Sequence, residues 1–153
     1  MEKTIELSNK EMKFKSSAAT NILYKRAFKE DILIKLTAYS KDIKEYKAIQ
    51  AKVEALRADT SKSKEEIATE MASLMSSDIF DSIAMFSNET LPKLAYIMYL
   101  EGNEKTENIF SSLSEDKFLA WLMTIDQDDL LTVTGQVMEL WQNGAKGTSK
   151  PKN

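Results

Sequence analysis

The side chains of this sequence that could do chemistry are its carboxylates. The chain has no histidine and no cysteine, which removes imidazole bases, thiol nucleophiles and the usual zinc ligands. Asp126, Asp128 and Asp129 are close enough in sequence to approach a cation. Their spacing lacks the glycine turn and distal glutamate of a calcium loop, so capping a helix and meeting solvent is their expected role. Asp78 and Asp81 lie three apart on one helical side. Acid–base work there would require burial that splits their pKa values, and a structural role is again the expectation. No serine has a histidine partner, and no SxxK box is accompanied by a glycine-rich oxyanion element. Phosphate-cradling glycine runs and dinucleotide fingerprints are missing as well. The sequence thus points to a non-enzymatic protein with no catalytic residue, no metal and no cofactor.

The elements that carry these residues follow from composition and periodicity. With 153 residues, 42% of them hydrophobic, the chain can bury one continuous core. Only 4 glycines and 2 prolines interrupt it, which favours long helices over a turn-rich β fold. The net charge of −3 is dispersed, and the basic end from Lys146 to Lys152 holds only three lysines, so no nucleic-acid surface is implied. No segment approaches the roughly 20 apolar residues of a membrane span, and the N-terminus lacks the apolar run of a signal peptide. No membrane partner is expected. The absence of cysteine is compatible with a reducing cytoplasm.

Ile5 and Leu7, then Met12 and Phe14, alternate with polar residues around Ser8 to Lys10, predicting a β-hairpin over about residues 4–15. Such a hairpin is marginal alone and must dock on helices or pair with another subunit's edge. Helical periodicity follows from Ala18 to Tyr39, then over 42–58, where Ile43, Tyr46, Ile49 or Gln50, Val53 and Leu56 form a narrow stripe on a charged helix. Ser63 and Glu66 have capping-box spacing ahead of a long helix predicted to reach Phe86. Pro92 opens a helix apolar around most of its girth, which Gly102 and Asn103 stop. Glu104 to Ser111 reads as a polar connection, and Ser112 with Glu115 as the cap of a helix pair from Phe118 to Trp141, broken at Asp126 to Asp129. The expected fold is mainly α, a small helical domain of about five to six helices with an N-terminal β-hairpin. It forms a single domain over 1–143, followed by a flexible tail over 144–153.

Methionine and tryptophan carry the remaining information. Met71, Met75, Met85, Met98 and Met138 sit at helical spacings, suited to a core and also to an adaptable apolar surface. Trp121 and Trp141 are the two tryptophans, candidates for core packing or for anchoring an interface.

Three segments resemble the tail assembly chaperone family of long-tailed bacteriophages and related prophages of Gram-positive bacteria. They are NILYKRAFKEDIL (Asn21–Leu33), LPKLAYIMYLEG (Leu91–Gly102) and FLAWLMTIDQDDLLTVTGQVMELW (Phe118–Trp141). The charged helix at 42–58 matches least. The resemblance implies a helical chaperone, made in the host cell cytoplasm and not retained in the mature virion. It would bind and solubilise the tape measure protein before the tail tube polymerises. The major tail tube protein and a frameshifted longer form of the chain itself are further implied partners. Within the resembling segments, Leu94, Met98, Trp121, Leu122, Val137 and Trp141 are the candidate partner-binding residues, with a core role as the alternative for each. The hairpin edge and the multi-sided apolar helices lead us to expect a homo-oligomer. The charged helix supports a second expectation, a non-enzymatic interaction module of a bacterial regulatory or structural complex.

Overall fold

A computed structural model describes residues 1–76 and 78–147. It is mainly α with an N-terminal hairpin, as the periodicity predicts. The chain divides into two compact units, one of Met1–Leu33 with the described part of Ser87–Asn153, the other of Ile34–Phe86.

In the first unit, β1 (Glu2–Glu6) pairs antiparallel with β2 (Glu11–Lys15), Ile5 opposite Met12 and Lys3 opposite Phe14. Ile5, Met12 and Phe14 are buried, while Glu2, Thr4, Glu6, Glu11, Lys13 and Lys15 form the exposed face. The period of two has therefore sorted the hairpin into a charged side and a mainly apolar one, on which Lys3 is half-buried. The apolar side finds α5 (Leu91–Asn103), which touches β2, α1 (Thr20–Phe28), α7 (Glu115–Leu122) and α8 (Gln127–Gly147). Leu94, Ala95, Ile97 and Met98 expose no surface. An all-round apolar helix has no solvent face, and α5 is the centre of this unit.

Several boundaries differ from the expectation for local reasons. α1 ends where Lys29 turns left-handed (φ 59°, ψ 26°), its N–H donating to the Lys25 carbonyl at 2.8 Å. Asp31 then accepts the Leu33 N–H at 2.9 Å and helps start α2 (Ile32–Ala58), which runs unbroken across Ser40 to Asp42 because no residue there forbids helix. The cap of α7 is Ser114, which accepts the Lys117 N–H at 3.2 Å; Ser112 instead donates to the Asn108 carbonyl behind α6 (Thr106–Ser111). The polar connection thus contains a helix. α8 runs past Trp141 to Gly147, where a loose tail was expected, and residues 148–153 lie outside the described ones.

The second unit holds the body of α2, then α3 (Lys64–Met75) and α4 (Ile79–Met85). Ser63 accepts the Glu66 N–H at 3.2 Å, as the capping spacing predicts. The single long helix expected over 64–86 is instead broken at Ser76, whose hydroxyl turns back to the Ser73 carbonyl at 2.8 Å. Along α2 the stripe of Ile43, Tyr46, Ile49, Val53 and Leu56 is half-buried or buried between exposed neighbours. Tyr46 meets Phe80 edge-on at 5.7 Å, and Tyr39 stacks on Phe86 at 4.1 Å. A π-helical turn, Phe86–Thr90, precedes α5.

Candidate partner-binding groove

The candidate residues of the sequence reading come together in the first unit, mostly inside it. Leu94, Met98 and Val137 have no exposed surface, Trp141 is 7% and Trp121 9% exposed, and Leu122 is half-buried. Trp121 lies in a run of aromatic rings. Tyr24 meets Phe28 (5.1 Å), Phe28 meets Phe118 (5.4 Å), Tyr96 touches both Phe118 (5.8 Å) and Trp121 (5.4 Å), and Tyr99 joins Trp121 (5.5 Å) to Phe14 (6.3 Å). This run stitches α1, α7, α5 and β2 into one core. The indole N–H of Trp121 is buried without a hydrogen-bond partner.

The apolar side chains that do reach the surface are others. In the first unit, Ile22 is 59% and Phe110 54% exposed, and both line a groove of about 490 Å³ between the end of β2, α1, the last turn of α5 and α6. Ala19, Leu23 and Ile109 continue its floor. Lys15, Arg26 and Lys105 stand on its walls with Glu101 and Glu104. The Arg26 guanidinium lies 5.9 Å from the centre of the Phe110 ring, a distance at which the ring face attracts the cation. Glu101 is held in place by hydrogen bonds from the Ser17 and Thr20 hydroxyls. The walls of the groove are therefore charged and partly fixed, and its floor is apolar.

Sequence reasoning missed this groove. Ile22 sits one residue inside a resembling segment, and Ile109 with Phe110 forms an apolar pair within the otherwise polar Glu104–Ser111 stretch. That pair, four residues beyond Lys105, was the signal of a short amphipathic helix.

The second unit has grooves of its own. One, of about 300 Å³, is lined by Tyr46, Ile49, Val53, Met71, Met75 and Phe80. Met75 is 60% and Met85 55% exposed, which leaves two flexible thioethers at the surface.

Among the carboxylates, Asp129 and Glu30 make structural contacts. Asp129 accepts both the N–H (3.2 Å) and the hydroxyl (2.9 Å) of Ser8, pinning the hairpin turn to the start of α8. Among the described residues, no three acidic side chains gather as a metal site, and no helix is long and apolar enough to cross a membrane. Glu30 accepts a hydrogen bond from the buried Tyr24 hydroxyl at 3.1 Å and lies 3.6 Å from the Lys93 ammonium, which itself sits 5.2 Å from the centre of the Phe28 ring. Burial, and then the charge and hydrogen bond of Glu30, push the Tyr24 phenol well above its ordinary range. That arrangement ties the end of α1 to the first turn of α5. No known protein family, curated protein or solved structure matches the chain.

Proposed function

We propose that this chain is a non-enzymatic tail assembly chaperone of a phage or prophage, holding apolar helical stretches of a tape measure protein in the host cytoplasm until tail tube subunits displace it. The observation that carries the reading is the groove of Ile22, Ile109 and Phe110. Its apolar floor and charged walls suit the apolar face of an amphipathic helix, with polar flanks meeting Arg26, Lys105 and Glu104. The three resembling segments support the same reading. The buried positions Leu94, Met98, Val137 and both tryptophans then serve it by fixing the scaffold, and the exposed Ile22 and Phe110 make the contact.

The chemistry requires no nucleotide or metal. A shallow groove gives moderate affinity at each site, and many copies along one long chain supply collective binding that polymerisation can overcome. Co-expression with the tape measure protein encoded nearby tests the proposal. Co-purification is expected, with loss of the complex on Ile22→Glu or Phe110→Glu in protein of unchanged helical content. A tape measure protein that stays insoluble with the wild-type chain at every salt and protein ratio would overturn it. Binding instead to an unrelated regulatory partner would favour the interaction-module reading.

A further inference from the structure

The two outer edges of the hairpin differ, and the difference points to a second docking surface, independent of the groove. Met1 and Ser16 exchange both backbone hydrogen bonds at 2.8 Å, and Leu7 donates to Lys10 at 2.8 Å. With that alternation, the backbone N–H and C=O groups of Glu2, Thr4 and Glu6 on β1, and of Glu11, Lys13 and Lys15 on β2, point away from the hairpin. The β2 edge is blocked at its middle. Asn103 donates its amide to the Lys13 carbonyl at 2.7 Å, and Gly102 lies so near that a Cβ on it would stand 2.8 Å from that oxygen. Along β1, the outward backbone groups of Glu2, Thr4 and Glu6 have no hydrogen-bond partner among the described residues.

Charge decides what can pair there. The side chains of Glu2, Thr4 and Glu6 share the exposed face. Glu2 is answered by Lys13, 3.6 Å away, and by Lys15 opposite. Glu6 stands opposite Glu11, a like-charge pair. A second copy adding its β1 antiparallel about Thr4 would set Glu2 against that copy's Glu6 on both sides of the axis and be repelled. We propose that the β1 edge receives an extended segment of another protein by strand addition, with lysine or arginine at alternate positions facing Glu2 and Glu6 and apolar residues between them. The backbone supplies the hydrogen bonds, and the glutamates favour a basic strand over a second copy centred on Thr4.

The test uses the full chain and two capped hexapeptides, one alternating lysine with valine, the other glutamate with valine. Saturating lysine–valine peptide is expected to slow amide hydrogen exchange of Thr4 and Glu6 by at least about tenfold, and the glutamate–valine peptide to leave it unchanged. Thr4→Pro removes an outward N–H and no hairpin bond, so it should abolish binding while the hairpin remains. Glu6→Lys keeps the edge open and should weaken the lysine–valine peptide by about tenfold or more while admitting the glutamate–valine one, which carries the test even if Thr4→Pro fails to fold. Three results would overturn the proposal: no binding of the lysine–valine peptide, equal affinity for the two peptides, or protection of Thr4 and Glu6 by self-association without peptide. Phe110→Glu should leave peptide binding intact, so failure here and failure of the groove remain distinguishable.

Discussion

The indole N–H of Trp141 donates to the side-chain oxygen of Asn21 at 3.0 Å, tying the last helix of the first unit to its first. Trp121 is just as buried, yet its indole N–H has no partner. The same substitution should therefore have unequal effects. Trp141→Phe removes the hydrogen bond to the half-buried Asn21 and is expected to cost about 0.5–1.5 kcal/mol beyond its packing loss. Trp121→Phe removes a donor that was already unsatisfied and should cost less. Urea unfolding followed by circular dichroism measures both, and equal costs would refute the assignment.

Exposure separates groove from core. Phe110→Ala should change stability by no more than about 0.5 kcal/mol, since most of the ring already meets solvent. Trp121→Ala, by contrast, opens the aromatic run and should cost about 3–5 kcal/mol. Partner binding should follow the opposite order once the folded fraction is corrected for, with Phe110→Ala the more damaging.

Gly102 faces backbone. A Cβ there would stand 2.8 Å from the Lys13 oxygen and 3.1 Å from its carbon, and backbone cannot swing aside as a side chain can. Gly102→Ala is expected to destabilise by about 1–3 kcal/mol and to speed amide exchange in β2 before it affects α8.

How much of this was legible in the sequence depended on the range of the interaction. The hairpin, the girdled apolar helix α5 and the Ser63 cap are set by neighbours in the chain, and pattern alone recovers them. Lys29 in a left-handed turn was not foreseen, because lysine carries no signal for positive φ and the tertiary fold imposes it. Ser112 and Ser114 both precede an acidic residue or lie beside one, and only the actual path of the chain after α6 decides which one caps α7. The groove was hidden for a different reason. Its floor joins Ile22 on α1 with Phe110 on α6, and no local periodicity links two short helices so far apart in the chain.

Alkaline pH should weaken the fold through Tyr24. The unfolded chain releases a tyrosine proton at about pH 10, whereas burial and Glu30 hold it in the folded state. The folded form then binds more protons, so the contribution is complete below about pH 10 and is lost as pH rises toward the folded value. Tyr24→Phe cannot titrate. Its stability difference from wild type should be constant at neutral pH and shrink above about pH 10 in urea titrations.

The Ser63 cap offers a test confined to the second unit. Ser63→Ala leaves the Glu66 N–H without its side-chain acceptor and should cost about 1 kcal/mol of helix stability there. A change in the urea transition is the measurement, and a Ser63→Asp variant should restore it.

Both tryptophans belong to the unit built around α5, and Ile34–Phe86 contains none. Nature has in effect labelled one unit optically and left the other dark. Indole emission during unfolding reports the first unit alone, while the peptide signal in far-ultraviolet dichroism comes from the helices of both. Superimposable curves would mean one cooperative transition; separated curves would give each unit its own stability without cutting the chain.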